Sequence, residues 1–214
     1  MTDLRTLRKS QREGWDREYA YESPLWRGPS EFEAPLGEDA TVLELGCGDG
    51  KTVGGLLRPG RFVFAIDYSP RAIEACGKRF GYAPGLHLVM SDVCALPFYD
   101  ESFDAIIAYH ILEHLMSDYR TKTTIECRRV LRRSGRVFVR VFSVRDMRCG
   151  KGKEVERNTF VRGNSIACHY FSEDELRDLF VDFGEESLKE RVIEKRYDGE
   201  DLQRVTIDAV FSRV

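Results

Sequence analysis

A strand-like apolar segment that runs directly into a glycine-rich turn constrains this fold more than any other feature of the chain. The stretch reads VLELGCGDGKT, residues 42–52, with glycines at positions 46, 48 and 50. Glycine tolerates positive φ and lets a ligand approach the main chain closely. Turns of this kind after the first strand of an α/β sheet bind nucleotides. Three designs come into question: a phosphate loop, a dinucleotide turn, and a turn for a nucleoside without phosphate.

The residues at the turn disagree with the first two designs. A phosphate loop requires a glycine five positions before its Gly-Lys-Thr ending, and that position holds Leu45. A dinucleotide turn requires a small residue where the chain has Lys51, because helix and strand pack together there. Glu44 also places negative charge beside the turn, which disfavours a pyrophosphate and favours a ligand that carries a cation.

Two more carboxylates follow the next two predicted strands. Asp67 ends VFAID and can accept both hydroxyls of a ribose, whereas Asp92 follows LVMS and can accept from an adenine amine. Ligands of open α/β sheets bind at the carboxyl ends of the strands, where these acids would lie. A nucleoside with hydroxyls, an amine and a cationic amino-acid tail is S-adenosyl-L-methionine (SAM), which we predict as the cofactor, with S-adenosyl-L-homocysteine as its product.

Apolar, β-branched runs alternate with helix-like segments through most of the chain. This alternation predicts a doubly wound, mostly parallel sheet. Two extended runs near the C-terminus, with a hairpin signal at Asp198-Gly199, predict an antiparallel pair that completes the sheet. Residues 143–170 fit no element. The predicted strands are 41–45, 61–67, 86–90, 103–109 and 136–142, and the predicted helices are 3–20, 51–58, 69–80, 118–133 and 172–184.

The motifs together resemble those of the class I SAM-dependent methyltransferases of the type 11 branch. VLELGCGDG, AIDYSP, SDVCALPF, ESFDAIIAYHILEHL and RRVLRRSGRVFVRV occur in that order within residues 41–142. The resemblance implies an α/β fold: a Rossmann-like seven-stranded sheet, mostly parallel with an antiparallel C-terminal hairpin strand, and helices on both faces. It also implies an enzyme. By matching position, SAM would contact Glu44, Gly46 and Gly48 with its methionine part, Asp67 with its ribose, and Tyr68, Asp92 and Val93 with its adenine, while Tyr109 and His110 would lie near the methyl group.

The segment from His110 to His114 also matches the H-x-x-E-H pattern of zinc hydrolases. A zinc site needs a third ligand, and methyltransferases of this type carry similar stretches, so we predict no metal site. His110 is instead the candidate general base or polar positioner, because imidazole side chains exchange protons near neutral pH. A residue that only packs and hydrogen-bonds at the start of a helix is the alternative.

We expect residues 1–40 to form a helix and an aromatic lid segment, and residues 41–214 to form the methyltransferase domain. Trp15, Tyr19, Tyr21 and Trp26 would order over SAM and exclude water. The six cysteines form no CxxC pair, which indicates reduced thiols. The N-terminus lacks the apolar segment of a secretory signal. No apolar run approaches the roughly 18 residues of a membrane span, so we expect a cytoplasmic protein.

The acceptor is predicted from an uneven distribution of charge. The net charge is −3, but residues 128–162 carry twelve Arg or Lys against three acids. We therefore expect a small, anionic metabolite as acceptor, with residues 143–170 as an insertion that recognises it and no nucleic acid as partner. A non-catalytic SAM-binding sensor or partner subunit, and a methyltransferase acting on protein or RNA, are the alternatives. The candidate substrate contacts are Trp26, Arg145, Arg162 and His169.

Overall fold

Ten strands and five helices are found in the described part of the chain, which in this computed structural model comprises residues 4–20, 32, 35–163, 165–197 and 200–214. The helices are α1 (Leu4–Glu18), α2 (Val53–Leu56), α3 (Pro70–Phe80), α4 (Ser117–Val130) and α5 (Glu173–Leu179). The strands are β1 (Thr41–Leu45), β2 (Phe62–Asp67), β3 (Leu86–Met90), β4 (Phe103–Tyr109), β5 (Leu131–Phe142), β6 (Lys153–Glu156), β7 (Thr159–Val161), β8 (Ala167–His169), β9 (Gly184–Tyr197) and β10 (Glu200–Ser212).

Seven strands form the main sheet in the order β3-β2-β1-β4-β5-β10-β9. The first five pair in parallel, whereas β10 runs antiparallel to both β5 and β9. The predicted fold class is therefore confirmed. The predicted hairpin signal at Asp198-Gly199 lies outside the described residues. The chain order reverses between β1 and β4, so the carboxyl ends of β1, β2 and β4 open onto a common crevice.

Local sequence explains why the first strands and α3 form where they do. Four of the five β1 residues are buried, as expected for a parallel strand covered on both faces. Ser69 caps α3 by accepting a hydrogen bond from the backbone N–H of Ala72 at 3.2 Å, and Pro70 occupies the first helical position. The cap fixes the end of β2, and with it Asp67, against the glycine turn.

Three helices are shorter than predicted. The segment predicted at 51–58 is helical only at Val53–Leu56, and the one predicted at 172–184 only at Glu173–Leu179. The helix predicted at 118–133 ends at Val130, because Leu131 is fully buried and already extended as the first residue of β5. Ser134, with φ of +60°, then lies within this strand rather than at a helix end.

Residues 143–170, predicted to fit no element, contain a second sheet. Its three antiparallel strands lie in the order β6-β7-β8. Each has three or four residues, too few for a two-residue hydrophobic period to be recognised. His114 Nδ1 lies 2.8 Å from the carbonyl oxygen of Ala167 in β8, which ties this small sheet to the loop after β4.

Candidate cofactor and acceptor site

A cavity of about 580 Å³ lies at the carboxyl ends of the parallel strands. This volume suits a nucleoside-sized ligand. All of the predicted cofactor contacts and the candidate catalytic residue line this cavity, and their contacts with SAM stay predictions. These residues are Glu44, Gly46, Gly48, Asp67, Tyr68, Asp92, Val93, Tyr109 and His110.

The glycine turn has the backbone that the sequence predicted. Gly46 and Gly48 adopt φ of +69° and +53°. A Cβ at position 46 would lie 2.8 Å from Cδ1 of Ile111, and one at position 48 would overlap the hydroxyl of Tyr19. Any side chain at either position would therefore be strained and would also fill the cavity beside the turn.

Asp67 is held by backbone donors on both of its oxygens. Oδ2 accepts from the N–H of Gly48 at 3.0 Å and Oδ1 from the N–H of Ser69 at 2.9 Å. Burial raises the pKa of this carboxyl to about 6, although these backbone hydrogen bonds act in the opposite direction. Each carboxylate oxygen has a second lone pair, so the fixed carboxylate can still accept two ribose hydroxyls.

Glu44 has the surroundings that a cation would complete. The residue is buried, and its Oε2 atom has no hydrogen-bond partner within the described residues. Burial is the main reason why the pKa of this carboxyl lies well above its ordinary value; Cys76 and Asp67 raise it further and a hydrogen bond from Thr52 lowers it. A buried carboxylate oxygen without a partner is costly, and an ammonium group in the cavity would satisfy the Oε2 atom. The residues therefore fit the amino-acid part of SAM.

The predicted adenine contacts lie on the same side of the cavity. Asp92 accepts from the N–H of Cys94 at 2.9 Å, which fixes the carboxyl group beside Val93. The guanidinium carbon of Arg140 lies over the ring of Tyr109, 4.7 Å from the ring centroid. Burial raises the pKa of the Tyr109 hydroxyl, so this side chain stays neutral and aromatic at the edge of the cavity.

Helix α1 packs over the cofactor side of the cavity. The Ser69 hydroxyl donates to the carboxylate of Asp16, and the ring of Trp15 meets that of His114 edge-on at 4.8 Å. Tyr19 lines the cavity, and burial, followed by the charges of Asp67 and Asp49, raises the pKa of its hydroxyl well above the ordinary value. Of the predicted aromatic lid, Tyr21 and Trp26 lie outside the described residues.

The histidines of the H-x-x-E-H pattern point to different partners. His110 Nδ1 lies 2.7 Å from Oε1 of Glu113, and His114 is held by the carbonyl oxygen of Ala167. Burial lowers the pKa of His114, which favours its neutral form. The residues Leu112–His114 form a single 3₁₀ turn rather than the α-helix that a zinc motif of this kind requires.

Three predicted substrate contacts do not line the cavity. His169 is 1% exposed and lies 2.8 Å from both Thr159 Oγ1 and Glu175 Oε1, so it is a structural residue of the small sheet. Arg145 pairs with Glu190, and Arg162 donates to the backbone carbonyls of Arg148 and Lys151. The structure therefore does not bring these three side chains to the cavity; Trp26, the fourth candidate, lies outside the described residues.

Six of the twelve cations in the basic run 128–162 form ion pairs with acids in the described part of the same chain. The charge count therefore gave a misleading picture of the site. The pairs are Arg129 with Glu126 and Asp100, Arg132 with Asp104, Arg136 with Glu186, Arg140 with Asp208, Arg145 with Glu190, and Arg148 with Asp146.

A basic strand face that the sequence analysis missed borders the cavity instead. Arg191, Ile193 and Lys195 of β9, with Arg204 and Thr206 of β10, line its outer part. The signal was present in KERVIEK, residues 189–195, in which Lys189, Arg191 and Lys195 alternate with Glu190 and Glu194. Successive residues of a strand face opposite sides, so the three cations share one face, of which Arg191 and Lys195 line the cavity.

The strand order, the glycine turn and the three strand-end acids define a class I SAM-dependent methyltransferase. A SAM-dependent methyltransferase from Methanosarcina mazei has the same fold, with a TM-score of 0.68 and 22% identity, over 84% of this chain and 94% of that one. Residues 43–139 match the family described as Methyltransferase domain. Residues 43–139 of the chain therefore belong to this methyltransferase family.

Two curated relatives are similar over most of the chain. The tRNA N(3)-cytidine methyltransferase METTL2 of Danio rerio is 31% identical over 163 residues, which are 71% of this chain and 46% of that protein. The tRNA N(3)-methylcytidine methyltransferase Mettl2 of Drosophila melanogaster is 32% identical over 202 residues, 84% of this chain and 62% of that protein. The chain thus spans about half to three fifths of the length of these relatives.

These relatives overturn one prediction. We expected a small-molecule acceptor and no nucleic acid partner, but both proteins are named for action on tRNA. That expectation was wrong, because it relied on the net charge and on the absence of a recognisable RNA-binding module. The membrane prediction concerns a separate property: none of the described helices is both long and apolar enough to span a bilayer.

Proposed function

We propose that this chain transfers the methyl group of SAM to a nucleobase in RNA, at N3 of a cytidine in tRNA. The names of the similar proteins support this acceptor, although the chain spans only part of their length. A nucleobase must leave its stack to reach an enzyme pocket, so the acceptor site has to bind both an unstacked base and the flanking phosphates.

The observation that carries the proposal is the basic face of β9. Lys189, Arg191 and Lys195 lie on one face of this strand, and Arg191 and Lys195 line the outer part of the cavity. The opposite face carries Glu190 and Glu194. From residue 189 to residue 195 the strand therefore carries its cations on one face and its acids on the other, with Arg191 and Lys195 toward the site.

The dimensions of this face suit a nucleic acid strand. Six residue steps separate Lys189 from Lys195, or about 20 Å at the rise of an antiparallel strand. Arg and Lys side chains on such a surface contact phosphates without reading sequence, and they position the strand for the site that does. Ile193, between two of the cations, adds an apolar contact at the edge of the cavity.

The reaction at N3 asks little of the chain beyond positioning and exclusion of water. SAM supplies a methyl group on a cationic sulfonium. N3 of cytosine carries a lone pair and no proton at neutral pH, so no general base is required. Glu44 and Asp67 would fix the two ends of the cofactor, and the cavity would hold the base in line with the methyl group.

We also propose that α1 acts as the lid over this site. Its contacts are made with residues around the cofactor: Asp16 with Ser69, Trp15 with His114, and Tyr19 beside Gly48. These contacts are made with residues outside the main sheet, so the helix can open and close without disturbing the sheet. Closure would exclude water from the sulfonium.

Methylation of tRNA transcripts with labelled SAM tests the proposal. The expected product is N3-methylcytidine, found by nucleoside analysis after nuclease digestion, and the label should be sensitive to nuclease and resistant to protease. Asp67→Ala serves as the control that lacks the ribose acceptor and should give no product. Label that is removed by protease alone, or that stays in small molecules, would contradict an RNA acceptor.

A further inference from the structure

His110 occupies a constrained position at the boundary between cofactor and acceptor. Its side chain lines the cavity and is 38% exposed, and its ring lies 4.7 Å from that of Phe142, which lines the same cavity. The backbone N–H of His110 donates to the carbonyl oxygen of Arg140 at 2.8 Å. The residue is thus fixed between β4 and β5 rather than carried on a free loop.

The backbone of His110 is held in an uncommon conformation. Its φ is +56°, in the left-handed region that residues other than glycine seldom adopt. Such strain is typical of functional sites, where surrounding contacts maintain it. The conformation directs the imidazole to one place beside the cavity.

Glu113 fixes the protonation pattern of the imidazole. Its side chain is fully buried, its Oε1 lies 2.7 Å from Nδ1 of His110, and its Oε2 has no partner in the described part of the chain. A carboxylate can only accept, so Nδ1 of His110 carries the proton. Nε2 of the neutral ring is then a hydrogen-bond acceptor available to the cavity that the residue lines.

We propose that Nε2 of His110 accepts a hydrogen bond from the exocyclic amine of the target base and so selects cytidine over uridine. This inference rests on the proposed function. In cytidine the amine is adjacent to N3, which is unprotonated. Uridine has an oxygen in place of the amine and a protonated N3. Its oxygen and Nε2 of His110 are both acceptors, so no hydrogen bond could form between them.

The same hydrogen bond would strengthen as the methyl group moves. The N3 lone pair forms the new N–C bond, the C–S bond breaks with its electrons remaining on sulfur, and the positive charge passes from sulfur to the base. No proton leaves. The amine of the cationic ring is a stronger donor than that of the neutral ring, so His110, with Glu113 behind it, stabilises the transition state more than the ground state.

The test is a cycle of one substitution in the protein and one in the RNA. In the His110→Asn variant the side-chain amide can still donate to Glu113, and Asn tolerates positive φ. The variant has no acceptor at the position that Nε2 occupies in the wild type. The RNA is a tRNA transcript with either cytidine or pyrimidin-2-one ribonucleoside, which lacks the amine, at the position that the wild-type enzyme methylates. Single-turnover rates are measured with enzyme in excess, so that slow reactions are included.

We expect His110→Asn to lower the rate on cytidine about 10–100-fold, the range for a hydrogen bond to a charged group. On pyrimidin-2-one the variant and the wild type should agree within about threefold, because the bond is absent from both. The SAM dissociation constant and the thermal midpoint are measured alongside. His110→Gly, which also suits the positive φ, should repeat the pattern.

Equal losses on the two RNAs would overturn this inference while leaving the proposed function intact. A wild-type enzyme that methylates no cytidine in any tRNA would overturn both. A variant that loses activity on cytidine together with SAM affinity would assign His110 to the cofactor and also overturn the inference.

Discussion

Two buried carboxylates beside the glycine turn are prepared for opposite parts of one ligand. Asp67 has each oxygen fixed by a backbone N–H, which orients it for hydroxyl groups. Glu44 has an oxygen without a partner among the described residues, which is the arrangement that a cation completes. Burial raises the pKa of both groups. Their ionisation is therefore coupled to ligand binding.

The affinity for SAM should depend on pH through Asp67. The folded pKa of this group, about 6, lies above its ordinary value of 3.8. Its contribution to the stability of the SAM-free protein therefore falls as pH rises from about 4 to 6, by roughly 3 kcal/mol. SAM needs the ionised form as acceptor. We expect its affinity to rise about 10-fold between pH 5 and pH 7, measured by calorimetry.

Asp67→Asn is the matched variant for this prediction, since it preserves shape and removes the titration. Its affinity should be lower at pH 7, and the part of the pH dependence centred near 6 should disappear. An unchanged pH profile in the variant would show that another group, such as Glu44, controls binding in this range.

The residues beside strand ends could be predicted because their position along the chain fixes their place in the fold. Asp67 and Asp92 follow predicted strands, and the carboxyl ends of neighbouring parallel strands meet at one edge. Glu113 could not be predicted as a buried partner of His110, since its burial depends on the packing around the 3₁₀ turn. The burial of His169 could not be predicted for the same reason.

At the scale of elements, the alternation of basic and acidic residues along β9 gives this strand a basic face. The sheet pairing places Arg191 opposite Thr206, Lys195 opposite Leu202 and Lys189 opposite Asp208. The other face carries Glu190, which binds Arg145 and Ser143. Two adjacent residues of the strand can therefore differ completely in function.

Lys195 and Arg196 allow this difference to be tested. Both are exposed, but Lys195 lines the cavity and Arg196 faces the other side, 3.8 Å from Asp201. Lys195→Glu should raise the KM for tRNA about 5–10-fold and leave the SAM dissociation constant unchanged, because it removes a phosphate contact. Arg196→Glu is the control and should stay within about twofold of the wild type, since exposed pairs contribute little. Equal effects of both variants would mean that only the total charge matters.

The contact between α1 and the site should control how long SAM stays bound. Asp16→Ala removes the acceptor of the Ser69 hydroxyl while leaving the hydrogen bond of Ser69 to the backbone of Ala72. We expect the dissociation rate of SAM, measured by stopped flow, to rise about 5–20-fold, as for loss of one charge-assisted hydrogen bond. Glu13→Ala, at an exposed position of the same helix, should have no effect. If both variants release SAM at the wild-type rate, α1 is not the lid.

The order of elements could be predicted more reliably than their limits. The alternation of apolar runs and helical segments depends on local sequence, and it gave every strand of the main sheet. The end of α4 depends instead on the burial of Leu131, a tertiary effect. The strands of the second sheet are three or four residues long, and their pairing is decided by partners rather than by propensity.

At the scale of the whole molecule, the net charge does not indicate the basic surface beside the cavity. The chain carries a net charge of −3, yet Arg191 and Lys195 of β9 and Arg204 of β10 all line the cavity. Arg132 and Arg136 of β5 do not line the cavity and pair instead with Asp104 and Glu186. An acidic protein can therefore attract a polyanion to one site while it repels the same polyanion elsewhere, which favours productive orientation.

This arrangement predicts a strong salt dependence for tRNA and a weak one for SAM. If Lys189, Arg191 and Lys195 of β9 each neutralise one phosphate, the slope of log affinity against log salt should be about −2 to −3. The kcat/KM for tRNA should then fall roughly 20–40-fold between 50 and 200 mM NaCl, while the SAM dissociation constant, set by buried groups, should change less than about twofold. Lys195→Glu should reduce the slope by about 1, since one ion fewer is released. A slope near zero for the wild type would contradict a phosphate-binding role for this face, whatever the acceptor.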